Sequence, residues 1–360
     1  MQVGIIGLPN VGKSTIFNTL TKASAEVANY PFCTIEPNIG LINVPDDNLI
    51  KLSKIYGSGK ITNASIKVLD VAGLVKGASK GEGLGNKFLS HIREVDVIAH
   101  IVRCFYDENV SHIAKDINPI GDIEIINTEL LLADIEILER KKEKLVSISK
   151  SGKSDTRSNV EVVNYLIDRF NKGSINISDF NGIFEKNKEL FLDLNLLSFK
   201  PTLYVANMNE DTKSISLYND LIKKIGTSEV IKIYGKVENE LLELPENERD
   251  YYRKELGIEE DGLKIFIKKC YSMLNLITFY TINENEARAW PLIKGSRAIE
   301  AAGKVHSDMQ KGFIKAEVIN CSELLKLNSI HKAREEGRVR IEGRDYIVAN
   351  EDVIQIKFSV

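Results

Sequence analysis

One run, Gly7-Leu8-Pro9-Asn10-Val11-Gly12-Lys13-Ser14, constrains this chain more than any other feature. It satisfies G-x-x-x-x-G-K-S without a mismatch, behind the strand-like Gln2-Val3-Gly4-Ile5-Ile6 and ahead of a helical segment at 15–20. Strand, glycine-rich turn and helix in that order form a phosphate-binding loop. The glycines let the backbone turn sharply and aim its N–H groups at phosphate oxygens. The helix N-terminus adds a partial positive charge. Lys13 is expected to reach the β- and γ-phosphates, and the Ser14 hydroxyl to be a magnesium ligand.

Asp70-Val71-Ala72-Gly73 closes a later strand and matches D-x-x-G. At this distance behind a phosphate loop, the Asp70 carboxylate can hold magnesium directly or through water, and the Gly73 N–H can face the γ-phosphate. The next residue is Leu74, where Ras-type hydrolases carry the glutamine that orients water. Leucine can neither polarise nor orient water, so hydrolysis needs another source of help. Between the two motifs, Thr34 in Tyr30-Pro31-Phe32-Cys33-Thr34 is the candidate second magnesium ligand that senses the γ-phosphate. Gly77, Gly81, Gly83 and Gly85 then give the low backbone stiffness of a segment that orders with the nucleotide.

Short β-branched runs at 3–6, 39–44, 66–69 and 97–102 recur at 203–206 and 230–233, as in a parallel sheet buried on both faces. With helical segments between them, the class is α/β. The interruption at 122–198 reads as helical: Ile123, Ile126, Leu130, Leu131, Ile135, Leu138 and Leu145 recur at three- and four-residue steps. A polar stretch at 147–158 predicts a loop, and a second helix at 160–170 makes an antiparallel hairpin. Seven basic residues against three acidic ones between Glu139 and Arg157 give the tip a charge that could meet RNA phosphates, although charged tips are more often just solvated. Beyond residue 276, strands are predicted at 277–282, 315–319, 339–341, 346–348 and 353–358, with a helix at 296–302, making a compact β-rich terminal domain. The expected division is therefore 1–121 with 199–275 for nucleotide binding, 122–198 for the insertion and 276–360 for the terminal domain.

Composition narrows the function classes. Over 360 residues the formal charge is only −3, so attraction to nucleic acid must come from local patches. No apolar stretch approaches the roughly 20 residues of a membrane span. Cys33, Cys104, Cys270 and Cys321 are far apart without a C-x-x-C pair, as for separate thiols in a reducing compartment. The start lacks a basic leader and apolar run, so the expected location is cytoplasmic, with no membrane partner.

The base is expected at Asn207-Met208-Asn209-Glu210, directly after the strand at 203–206. Guanine-specific hydrolases carry N-K-x-D there, with the aspartate accepting from two guanine groups. Glu210 is one methylene longer, and Met208 replaces the lysine that packs over loop and base. A site built for guanine loses heavily when a polar partner is misplaced, which favours ATP.

Taken together, GLPNVGKST, NYPFCTIEPN, DVAGLVKGASKGEGLGNKFL and NMNE resemble the YchF or Obg-like ATPase family of translation-factor-related P-loop hydrolases. The block from FYTINENEARAW to DYIVANEDVIQIKF is similar to that family's TGS domain, and the helical hairpin sits where the family carries its coiled-coil insertion. The resemblance covers essentially the whole chain. It implies a cytosolic, magnesium-dependent ATPase that tolerates GTP and associates with ribosomes. The expected partner is the large subunit or the whole ribosome, with the helical hairpin and TGS domain as the candidate places of rRNA contact. It further implies nucleotide contacts from Asn10, Val11, Gly12, Lys13, Ser14 and Thr15, with magnesium on Ser14 and Thr34. His112, in NVSHI, matches the histidine that replaces the missing glutamine; His91 and His100 are weaker candidates, embedded in predicted helix and strand. Asn10 matches the asparagine that holds a monovalent cation in potassium-activated relatives. One departure stands beside the base: Tyr234-Gly235 replaces the usual Ser-Ala pair, leaving the Gly235 N–H as the group to meet the base. The competing expectations are a GTPase of the same fold and an RNA- or protein-binding adaptor that the nucleotide only stiffens, with Lys332, Arg334, Arg338, Arg340 and Arg344 as its basic surface.

Overall fold

The computed structural model describes residues 1–27, 38–71, 84–108, 116–149, 154–173 and 180–359. Among them the strands are β1 (Gln2–Ile6), β2 (Ile39–Asn43), β3 (Lys60–Thr62), β4 (Ser65–Asp70), β5 (Val97–Cys104), β6 (Thr202–Met208), β7 (Val230–Ile233), β8 (Leu276–Ile282), β9 (Glu286–Ile293), β10 (Phe313–Asn320), β11 (Arg340–Glu342) and β12 (Asp352–Phe358). The chain is α/β and packs as two units, one of Gln2–Phe17 with Leu69–Leu241 and one of Met1, Asn18–Val68 and Leu242–Val360.

In the first of these, β1, β5, β6 and β7 lie side by side in that order, all parallel. The apolar run of β5 is buried at every position. The register sets Ile6 beside His100, Arg103 beside Asn207 and Asn207 beside Ile233, so the candidate groups gather at the carboxyl ends of the strands. That end is where ligands sit in open parallel sheets.

The insertion is helical as expected, with helices Pro119–Ser149 and Ser154–Asn171. The polar stretch predicted as loop is largely helical: helix runs to Ser149 and resumes at Ser154, because solvated polar residues are tolerated in a helix whose other face is buried. Leu138, Leu145, Val163, Leu166 and Phe170 form a common core with Phe180, Phe191 and Leu194 from the shorter helices behind them. Buried Asp134 closes the base of the insertion by accepting from the backbone N–H groups of Leu197 at 2.9 Å and Ser198 at 2.8 Å.

The other unit contains a sheet in the order β11-β10-β12-β8-β9-β3. β8 and β9 form an antiparallel hairpin and β12 runs parallel to β8, a β-grasp-like arrangement. Helix Ala298–Val305 covers one face through Ala298, Ala301 and Ala302, against Phe279 and Leu292. In the same unit the Tyr280 hydroxyl donates to Asp46 Oδ2 at 2.8 Å, while Asp46 Oδ1 caps helix Asp47–Tyr56 through the Leu49 N–H. This unit departs from expectation at residues 346–348 and at β3 and β9. Residues 346–348 form no strand but a single bridge, Ile347 to Arg297. β9 was not anticipated because Pro291 interrupts its pattern; Pro291 lies beyond the positions that β3 pairs (Glu286, Ala287 and Arg288), so its missing N–H breaks no bond to β3.

Replacing Asp134 with alanine strands two backbone N–H groups and is expected to cost roughly 2–4 kcal/mol. Urea unfolding followed by circular dichroism measures it; a loss below about 0.5 kcal/mol, within the usual range for surface substitutions, would show that the insertion closes without this carboxylate.

Candidate functional site

The phosphate loop leaves β1 at Ile6 and enters helix Lys13–Val27, whose first turn is set by the Ile16 N–H on the Gly12 carbonyl at 3.0 Å. Two glycines are required here for space as well as conformation. A Cβ on Gly7 (φ 153°) would stand 2.5 Å from the Ile101 carbonyl oxygen, and one on Gly12 (φ 93°) 2.2 Å from Asn207 Nδ2. Asn10 takes the left-handed region at φ 62°, which asparagine tolerates better than most residues. Asn10, Ser14 and Thr15 are exposed, whereas Val11 and Lys13 are buried.

Lys13 folds back on its own loop, its Nζ donating to the Leu8 carbonyl at 2.8 Å. Burial lowers its pKa, and the Asp70 charge opposes that shift. Ser14 Oγ donates to Asp70 Oδ2 at 3.3 Å, and burial raises the Asp70 pKa against the pull of Lys13 and Ser14. The Val71 N–H donates to Ile5 O at 3.1 Å and holds the carboxylate beside the loop. A hydroxyl and a carboxylate, both hard oxygen donors, thus converge next to a buried ammonium. This set fits magnesium, which retains waters and takes one or two protein oxygens together with phosphates. Thr34, Gly73, Leu74 and His112 lie outside the described residues.

Asn207 ties the loop to the last strand. Its Nδ2 donates to the Val11 carbonyl at 3.0 Å, and its Oδ1 accepts the Gly235 N–H at 3.1 Å. The Gly235 N–H, expected to meet the base, is therefore committed to Asn207. A Cβ at Gly235 would come within 2.9 Å of Asn207 Oδ1 and 3.2 Å of Ile16, which explains glycine here. Met208 also departs from expectation. Alternation along β6 turns its side chain away from Asn207 into a cluster with Val102, Cys104, Ala206 and Leu221, so it does not cover the loop. Glu210 is exposed, and its charge adds to burial in raising the pKa of half-buried Tyr234.

Arg103 was not singled out by the sequence, although a charge inside V-I-A-H-I-V-R-C is its signal. Buried at the end of β5, it donates through Nε to Phe105 O at 3.2 Å and through Nη2 to Asp107 O at 3.3 Å, with Cζ 4.6 Å from the Phe105 ring centroid. Asn209 Nδ2 donates to Tyr106 O at 3.0 Å, so residues 105–107 are anchored from the ends of both β5 and β6. Burial, then the Lys13 charge, push His100 down to about 3, and neither of its ring nitrogens has a hydrogen-bond partner among the described residues. It stays neutral inside the sheet; His91 is exposed on helix Leu84–Glu94.

The basic C-terminal residues are mostly committed elsewhere. Arg334 pairs with Glu317, Arg340 with Glu342 and Asp352, Lys332 with Glu336, and Arg344 donates to Phe313 O. On the insertion, Lys141 pairs with Asp193. No helix of the described residues is long and apolar enough to cross a membrane.

Known proteins resemble the chain along its length. A model described as a 50S ribosome-binding GTPase matches residues 2–133, and a YchF-GTPase C-terminal model matches 276–359. A protein of Bacillus subtilis named ribosome-binding ATPase YchF is 45% identical, with 100% of both chains covered. One of that name from Escherichia coli O157:H7 is 43% identical over 100% of this chain and 99% of the other. The solved structure of the Schizosaccharomyces pombe YchF GTPase superposes with a TM-score of 0.83 at 32% identity, covering 99% of this chain and 97% of that one.

Asn207→Ala removes both links between loop and last strand. It is expected to weaken nucleotide binding by about tenfold or more, the equivalent of roughly 1.4 kcal/mol. Fluorescent-nucleotide titration measures this; unchanged affinity would mean that the loop holds its shape without the asparagine.

Proposed function

Because the chain belongs to the YchF family, we propose that it is an ATP-hydrolysing switch that works on the ribosome. The observation that carries this proposal is the convergence of Ser14, Asp70 and Lys13 at the carboxyl end of a parallel sheet, at 3.3 Å between the hydroxyl and carboxylate oxygens. Asn10, Val11, Gly12, Lys13, Ser14 and Thr15 would cradle the triphosphate. Ser14, Thr34 and Asp70 would hold magnesium, which would supply positive charge to offset that of the phosphates. Lys13 would exchange the Leu8 carbonyl for phosphate oxygens, and the Gly73 N–H would sense the γ-phosphate. With Leu74 in place of a glutamine, His112 would orient the attacking water. Asn10 would place a potassium ion where other hydrolases bring an arginine.

Two features favour adenine over guanine. The Gly235 N–H is spent on Asn207 and is not free for a base carbonyl, and Glu210 is both exposed and longer than the aspartate that reads guanine. Asn207 therefore acts on the base side mainly as a positioning residue. In this proposal the chain is cytoplasmic and divides into 1–121 with 199–275 for the nucleotide, 122–198 for the insertion, and 276–360 for the TGS domain. The match of a separate family model to 276–359 supports the last boundary. The relatives' names support the ribosome as partner, with rRNA reached through the hairpin or the TGS domain. The internal pairing of Arg334, Arg340 and Lys332 leaves less free charge there than the sequence suggests.

Lys13→Ala is expected to lower ATP turnover by about 10²-fold or more. An unchanged rate would assign the activity to a contaminant. Competition of ATP and GTP for one fluorescent analogue tests the base: clearly tighter GTP binding would make the protein a GTPase of the same fold. Turnover with and without ribosomes tests the partner, and no change on adding them would contradict it.

A further inference from the structure

The unit built on β8–β12 contains a cleft of about 360 Å³ that the nucleotide reaction does not use. It lies where two ladders part. β12 pairs with β10 along its length but with β8 only at Asp352–Phe279 and Val353–Tyr280. From Val353 onward the cleft is lined by residues 282–285 on one side and 353–355 on the other, with Tyr56 and Ile330 also on its wall. Ile282, Ile319, Ile330 and Val353 make apolar walls. The volume lies at the lower end of the range for small-molecule sites.

Two charged groups lie side by side in the cleft. Arg334 Nη2 donates to Glu317 Oε2 at 2.9 Å and to Gln355 Oε1 at 3.1 Å. Both bonds leave from Nη2, so Nε and Nη1 have no partner among the described residues. Among the described residues, the partner of Glu317 Oε1 is the ammonium of Lys357, at 3.9 Å. Burial raises the pKa of the Tyr56 hydroxyl on the wall; the Arg334 charge pulls it down and the Glu317 charge pushes it up. Charge in and around the cleft is balanced, Arg334 and Lys357 against Glu317 and Glu284, so it has no strong preference for an anion or a cation. A neutral planar ligand with two adjacent donors beside an acceptor satisfies the set.

We propose that this cleft binds a guanine base, with Glu317 accepting from its N1 and N2 groups and Arg334 donating to its O6 or N7 edge, between the apolar walls. Guanidinium to guanine O6 and N7 is the commonest specific pairing of a side chain with a base. Adenine offers one donor beside a ring acceptor, which would face the Glu317 carboxylate and leave it unpaired, so a site of this kind discriminates strongly. The base could come from a free nucleoside or nucleotide, or from an unpaired position of RNA, where splayed bases are read in this manner.

The test uses the full chain with its phosphate loop saturated by a non-hydrolysable ATP analogue and magnesium. Guanosine and adenosine are titrated by equilibrium dialysis, and a short single-stranded RNA with one guanine by fluorescence anisotropy. We expect saturable guanosine or RNA binding, at least about tenfold tighter than for adenosine or the guanine-to-adenine RNA. Glu317→Gln should weaken it by about tenfold or more while thermal midpoint and ATP turnover stay unchanged. Gln355→Ala, at an exposed position, serves as a second variant with a smaller loss. Tighter RNA binding identifies an unpaired base as the source, and tighter guanosine binding a free one. Saturation by neither, or binding indifferent to Glu317→Gln and to the guanine-to-adenine exchange, overturns the proposal. The ATP analogue's occupancy is read separately, so failure here is distinct from failure at the phosphate loop.

Discussion

Asn207 uses one short side chain to tie two distant pieces of backbone together. Donating to Val11 and accepting from Gly235, it sets the distance between the phosphate loop and the turn that follows β7. Much of the site's composition follows from that position. Gly12 and Gly235 must lack a Cβ because the amide occupies that space, and Ile16 packs against the same point. The bonds are buried, where leaving either partner unmade costs the full desolvation of the group. The loop is therefore shaped before any ligand arrives, and its N–H groups need little reorganisation to receive phosphate.

The other two polar links at the site are of a different kind. Lys13 rests on a carbonyl of its own loop and Ser14 on Asp70, and both contacts use groups that a triphosphate and a divalent cation would claim. Burial works against the charge on Lys13 and on Asp70, so each gains from a partner of opposite sign. A frame that stays and contacts that exchange are what a nucleotide-dependent switch requires. Arg103 and Asn209 extend the frame to residues 105–107.

Much of this was legible in the sequence, for identifiable reasons. The phosphate loop and Asp70 are local patterns, and the buried parallel strands appear as continuous β-branched runs, so their positions follow without knowledge of neighbours. The role of Asn207 was partly misread because it depends on two partners far away in the chain, Val11 and Gly235. Met208 was misplaced for a related reason: period-two alternation separates it from Asn207, but only the packing against Val102 and Leu221 tells which face is core. Arg103, just past the run expected at 97–102, was not singled out, and it braces the loop behind β5. β3 and β9 escaped because three residues are too few to show a period and Pro291 argues against a strand.

The central claim is that the Asn207 frame is fixed while the Lys13 and Ser14 contacts exchange. A crystal structure with a non-hydrolysable ATP analogue and magnesium tests this directly. In that structure Lys13 Nζ is expected to have left Leu8 O for the phosphates and Ser14 Oγ to have turned from Asp70 to the metal, with Asn207 still bonded to Val11 and Gly235. A bound structure in which Asn207 had released both partners to contact the base, with Lys13 still on Leu8, would contradict it.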